Sequence, residues 1–129
     1  MNIKIKKYFE GLEILLLNSE VVENYEISRQ DISDIDGKIR IEIELINNDT
    51  VDLFEYLEIK DNKLAVKKYH HHWQTSDNVF ICRWDNAPHY KELENFPHHL
   101  HKPGKVEASN RIPDIKYIIK TIKKYIKQN

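Results

Sequence analysis

The chain has a single cysteine, Cys82, among 129 residues. One thiol excludes an internal disulfide, and the lack of any CxxC pair excludes a zinc ribbon. Net charge is also scarce: 21 acidic and 20 basic side chains leave a formal charge of −1. No global field therefore draws the chain to nucleic acid or to an anionic membrane. No segment approaches the ~20 consecutive apolar residues of a membrane-spanning helix. The opening MNIKIKKYFEGLEILLL sets basic residues before an apolar run, but the run is short and contains Glu10 and Glu13. It also lacks a small-residue cleavage site, so it reads as an amphipathic helix rather than a signal peptide. A soluble, cytoplasmic protein is expected, formed as one domain over residues 1–129. There are no internal repeats, low-complexity tracts or interdomain linkers.

Proline is absent before residue 88, and histidine is absent outside residues 69–101. These two absences divide the chain. Residues 3–17 carry Ile5, Tyr8, Phe9, Leu12, Leu15 and Leu16 at helical spacing, one apolar face of a helix. From Val21 to about Asp85 the period becomes two. In residues 38–45, Ile39, Ile41, Ile43 and Leu45 alternate with Lys38, Arg40, Glu42 and Glu44. That pattern describes a strand of an antiparallel sheet with one buried and one wet face. Asp36-Gly37 predicts a type I′ hairpin turn; Asn47 to Asp49, Asp61-Asn62 and Thr75 to Asp77 predict further turns. Strands are expected at about 23–34, 38–46, 51–60, 63–74 and 78–85, and short links between them imply a five-stranded meander. All four prolines, Pro88, Pro97, Pro103 and Pro113, follow. Residues 86–112 are expected to form a long histidine-rich loop, ordered by its aromatic content. Pro113 suits the first turn of a C-terminal helix, whose apolar stripe is Ile115, Ile118, Ile119, Ile122 and Ile126. The fold class is therefore α+β, with both helices covering the face that bears Ile39, Ile41 and Ile43.

The chemistry concentrates in YHHHWQTSDNVFICRWDNAPHYKELENFPHHLH, residues 69–101, which holds all seven histidines. Imidazole is the side chain that binds metals or exchanges protons near neutral pH. In strands, His70, His72 and Gln74 share one face while Tyr69, His71 and Trp73 share the other. Arg83 and Asp85 likewise oppose Cys82 and Trp84. The turn at 75–77 brings His72 and Gln74 towards Arg83 and Asp85, and His89, His98, His99 and His101 follow from that strand end.

Two chemistries fit this set. In metal-free RNA cleavage, one histidine takes the 2′-OH proton, another protonates the leaving 5′ oxygen, and Arg83 stabilises the phosphate. Asp85 orients an imidazole, His72 and His99 are the expected proton-transferring pair, and no cofactor is needed. Gln74, Asn86 and Trp73 are candidates to hold substrate, Trp73 by stacking on an unpaired base. The other chemistry is metal binding: His70-x-His72 and His99-x-His101 each place two ligands on an extended segment, with Asp85 to complete a set. The chain is then a non-catalytic module whose histidines hold a structural zinc or a partner. Plain structural readings stand beside both. His70 and His71 can be solvent-facing strand residues, Arg83–Asp85 a surface ion pair, and the tryptophans core. Cys82 can be a small buried apolar group, and the lysines of the last helix a solvated face.

The same stretch resembles the TumE family of toxins from toxin–antitoxin pairs. The matching residues are Tyr69 with His72-Trp73-Gln74, then Arg83-Trp84-Asp85-Asn86-Ala87-Pro88-His89, then Phe96-Pro97-His98-His99 with His101. Phe54-Glu55-Tyr56 extends the likeness upstream, and Val106-Glu107-Ala108-Ser109 is similar to the family's VEPS with Ala108 in the proline's place. The resemblance implies a small growth-inhibiting toxin, neutralised by a protein antitoxin encoded beside it.

Overall fold

Alternation of apolar and polar side chains builds the middle of the chain into one sheet, as the computed structural model shows for residues 1–109 and 112–128. Residues 110 and 111 of the expected 86–112 loop, and residue 129, lie outside the described residues. The elements are α1 (Ile3–Leu17), β1 (Val22–Ile32), β2 (Asp36–Leu45), β3 (Thr50–Lys60) and β4 (Lys63–Gln74). They continue with β5 (Phe80–Asp85), β6 (His99–Lys102), β7 (Lys105–Ala108) and α2 (Ile115–Gln128). Strand order in the sheet is the order in the chain, and every neighbouring pair is antiparallel.

Ile39, Ile41, Ile43 and Leu45 of β2 are buried, as are Val51, Leu53 and Leu57 of β3. They share one core with Ile5, Phe9, Leu12 and Leu16 of α1 and with Ile115, Ile118 and Ile122 of α2. Both helices therefore cover the isoleucine face, as the periodicity implies. Fully burying each such side chain stabilises the fold by ~1.5–3 kcal/mol. Asn2 caps α1 by accepting from the backbone N–H groups of Lys4 and Ile5. Asp114 Oδ1 accepts from Tyr117 N–H at 2.8 Å, the N-cap arrangement. Pro113 thus precedes the cap instead of occupying the first turn.

Three further expectations are corrected. The sheet has seven strands, because the stretch read as a loop contains the β6–β7 hairpin. Lys102-Pro103-Gly104-Lys105 closes it, with Gly104 at φ +77°, the position of a type II turn that demands positive φ. His99 and His101 are consequently strand residues, and the irregular segment keeps only His89 and His98. Asp36-Gly37 is not the β1–β2 turn. Ser33 makes that turn, its Oγ accepting from Ile35 and Asp36 N–H at 3.2 and 3.0 Å. Gly37 instead lies inside β2, where an added Cβ would come within 2.7 Å of Ile5 Cγ2 and 3.3 Å of Phe9 Cζ. Its role is the close approach of α1. The Asp61-Asn62 turn does form, with both residues at positive φ.

His71 is the third correction: it is fully buried on the helix side. Among the described residues neither ring nitrogen has a hydrogen-bond partner. Glu55 lies beside it, also buried, accepting from Tyr8 Oη–H at 2.6 Å. His71 Nε2 and Glu55 Oε2 are 3.8 Å apart, too far for a hydrogen bond. Burial drives both groups towards their neutral forms, Glu55 up to about 7 and His71 down to about 3. Below about pH 7 the contact is therefore a neutral pair despite its ion-pair distance.

Stability should follow these shifts. Glu55, raised from 4.5, contributes stability below that value that is lost as pH rises through about 7. His71, lowered from 6.5, contributes stability above that value that is lost as pH falls towards 3. Glu55→Gln removes only the first term. The variant should gain on the native chain by on the order of 1–3 kcal/mol between pH 5 and pH 8 in urea unfolding. A difference between the two proteins that does not change with pH would show that Glu55 is not raised.

Candidate active site

Residues paired across antiparallel strands point to the same side. The register therefore writes two rows on the face away from the helices. Phe54, His70, Asp85 and His99 stand in one row across β3 to β6. Asp52, His72, Arg83 and His101 stand in the next. Four strands thus deliver four imidazoles, a guanidinium and two carboxylates, Asp52 and Asp85, side by side.

Asp85 sits at the centre, 4 % exposed. Its Oδ1 accepts from Ala87 N–H at 3.1 Å, and its Oδ2 accepts from Arg83 Nε at 3.0 Å. His99 Nε2 lies 2.7 Å from Oδ1, and His101 Nε2 lies 3.3 Å from Oδ2. The His99 contact is close but misaligned: among the described residues Nε2 makes no hydrogen bond although it is buried. The other nitrogen, Nδ1, donates to Pro97 O at 2.8 Å, which fixes the ring. The two rings meet edge to face, 4.7 Å between centroids. Tyr90, held at φ +58°, lays its ring against both, at 5.3 and 6.0 Å.

His72 Nε2 is 3.0 Å from Gln74 Oε1. The Gln74 amide nitrogen donates to Asn78 Oδ1 at 2.9 Å, so Oε1 must accept from His72 and the lone pair of a neutral His72 lies on Nδ1. Burial, then Arg83, lowers the pKa of His70 and of His101, with Asp85 opposing. Two open hollows meet over this face. One, of about 850 Å³, includes His72, Gln74, Arg83, His101, Lys102 and Lys105 in its lining. The other, of about 790 Å³, includes His70, Asp85, Asn86, His89 and His99. Arg83, Tyr90 and His101 line both.

Of the expected site residues, His72, Gln74, Arg83, Asp85, His99 and His101 come together. His89 is exposed on the rim of the second hollow. His98 turns away: its Nδ1 is 2.7 Å from the Tyr69 hydroxyl and its ring stacks on Tyr69. Burial lowers its pKa. Trp73 is in the core, donating from Nε1 to Asp49 at 3.1 Å and packed edge to face on Tyr125. Asn86 is occupied by the β4 backbone, accepting from Tyr69 N–H at 3.0 Å and donating to Lys67 O at 2.9 Å. Cys82 is buried, its thiol pushed up to about 12. Tyr90, Lys102 and Lys105 are additions that periodicity could not supply, since Tyr90 lies in irregular chain and the lysines in a strand read as loop.

A family model described as Toxin TumE matches residues 12–129. No curated protein and no solved structure matches the chain.

The contacts of Asp85 make it an anchor. Asp85→Ala leaves a guanidinium and two imidazoles without their carboxylate and should destabilise the fold by about 3–5 kcal/mol, as when one member of a buried charge pair is removed. Asp85→Asn keeps an acceptor for Ala87 and should lose less. Denaturant midpoints for both variants measure this, and an alanine variant as stable as the native chain would disprove the anchor.

Proposed function

The chain belongs to the TumE toxin family, and from that premise we propose a toxin that cuts RNA by metal-independent acid–base chemistry, held in check by a protein antitoxin encoded nearby. One observation carries the reading: His72, Arg83 and His101 stand in register on three adjacent strands, along the floor of one open groove. Strand spacing of about 4.8 Å puts the two histidine backbones roughly 10 Å apart. A phosphate on Arg83 fits between two imidazoles at that separation.

In this mechanism Nδ1 of His72 takes the proton from the 2′-OH. The 2′ oxygen attacks phosphorus, and the bond from phosphorus to the 5′ oxygen breaks. His101 delivers a proton to that oxygen. The products are a 2′,3′-cyclic phosphate and a free 5′-OH. Arg83 stabilises the charge that grows on the phosphoryl oxygens, while Lys102 and Lys105 at the groove edge, two cations sharing the one carboxylate of Glu107, attract the flanking backbone. His101 replaces His99 as partner to His72. His99 is 1 % exposed and pinned by Pro97 O, so its part is to pack edge to face against the His101 ring. Gln74 fixes the tautomer of His72.

Purified chain incubated with total cellular RNA in EDTA should yield 2′,3′-cyclic phosphate ends. His72→Ala and His101→Ala should each lose ~10²–10⁴-fold in rate, with melting temperature little changed. Arg83→Lys should recover only part of what Arg83→Ala loses, because an ammonium lacks the planar fork for two phosphate oxygens. Induced expression should arrest growth in proportion to the rate, and co-expression of the neighbouring reading frame should relieve the arrest. Growth arrest with intact RNA, or full cleavage by the folded double variant, would refute the assignment.

A further inference from the structure

We infer that Asp85, His99 and His101 also bind one divalent transition-metal ion of the zinc class, and that the bound ion shuts off cleavage. One ligand atom from each of these residues falls in a group whose members lie within 4.8 Å of one another. Two imidazoles and a carboxylate are the protein ligands of many catalytic zinc sites, which leave a further position open.

His99 supplies the independent observation. Its Nδ1–H is committed to a backbone carbonyl, Pro97 O, at 2.8 Å. That is how ligating histidines are oriented, because it fixes the tautomer and aims the other lone pair at the metal. The other nitrogen, Nε2, is buried, has no hydrogen bond among the described residues and points into the cluster. Metal coordination would satisfy it where Asp85 Oδ1, off its axis at 2.7 Å, does not.

The register explains why the set is rigid. Asp85 and His99 are direct partners on β5 and β6, and His101 is two residues further along the same face of β6. Arg83 opposes an added cation, but it engages Oδ2, so Oδ1 remains the carboxylate atom facing His99. Imidazole ligands favour zinc, nickel or cobalt over magnesium and calcium, which prefer all-oxygen sites. His89 and His70 line the hollow above the cluster, where substrate or water would complete the coordination.

The inhibitory half of the inference rests on the cleavage reading; the binding half does not. An ion on His101 Nε2 occupies the atom that stands next to Asp85 and serves the leaving oxygen. Metal on that atom and a proton on it exclude each other.

The test uses the full chain, stripped with EDTA and dialysed. Zinc chloride should bind in calorimetry at one ion per chain, and cobalt chloride should give the visible absorption of a low-coordinate site. Magnesium chloride should give no heat. His101→Ala should weaken zinc binding at least ~10-fold, the low end of what even an outer-shell partner contributes. His98→Ala, on the other side of the sheet, should bind as the native chain does. Equimolar zinc should suppress RNA cleavage, and EDTA should restore it. No saturable zinc binding, or binding indifferent to both His101→Ala and His99→Ala, would overturn the site. Cleavage that zinc leaves unchanged or accelerates would overturn the inhibition. If zinc binds as stated but the stripped protein cuts no RNA, the cleavage reading and the inhibition fall together and the metal site stands.

Discussion

Everything on the open face depends on one carboxylate removed from water. Isolated, a buried Asp85 would carry a desolvation cost of several kcal/mol. It is tolerated because four donors or cation-capable groups converge on it: Ala87 N–H, Arg83 Nε, His99 and His101. Each contact constrains a different part of the fold. The Ala87 bond turns the chain as it leaves β5. Arg83 is held flat along its own strand. The two histidines set the four-residue β6 against that carboxylate, beside the ladder that pairs it with β5. The last hairpin of the sheet thus hangs partly on the carboxylate.

The second constraint is the period of the strand. Both helices fall on one face, so alternate residues of β4 meet opposite fates. Tyr69, His71 and Trp73 are buried under the helices, while His70, His72 and Gln74 face the hollows. Three consecutive histidines therefore have two distinct environments. His71 is neutral, buried beside Glu55 and stacked on Tyr69. Its neighbours on either side are partly exposed, with rings parallel and 6.4 Å apart. A one-residue slip of β4 would exchange these roles and bury two imidazoles for one.

The sequence made the first two-thirds of this arrangement legible. KIRIEIEL announces its buried face by alternation, and the Asp61-Asn62 turn by residues that tolerate positive φ. Asp36-Gly37 misled because glycine serves two ends: positive φ in a turn, and absence of Cβ under a packed helix. Only the position of Ile5 and Phe9 distinguishes them, and that is tertiary information. The β6–β7 hairpin was missed for a different reason. Four-residue strands give too little alternation to read, and the prolines around them argued for loop. Pro103-Gly104 between His99-Leu100-His101 and Lys105-Val106-Glu107 was the available signal, a turn dipeptide flanked by alternating residues. The chemistry of the stretch was legible from its histidines; which of them converge was not. His98 and His99 are adjacent in sequence, yet one hydrogen-bonds to Tyr69 and the other meets Asp85.

Arginine at position 83 follows from the same geometry. Nε is already spent on Asp85 Oδ2 at 3.0 Å. A lysine in that position would have one nitrogen to divide between the carboxylate and any incoming anion. The guanidinium keeps its two terminal nitrogens, four N–H donors in a fixed plane, free of the Asp85 contact. In the cleavage proposed above, those donors engage a phosphate without releasing Asp85, so the histidines keep their anchor when that substrate arrives. The like charges of phosphate and carboxylate would repel at this range in a low dielectric; a guanidinium shared between them turns that repulsion into two attractions. A site built on a buried acid can accept an acidic substrate only with such a bridge.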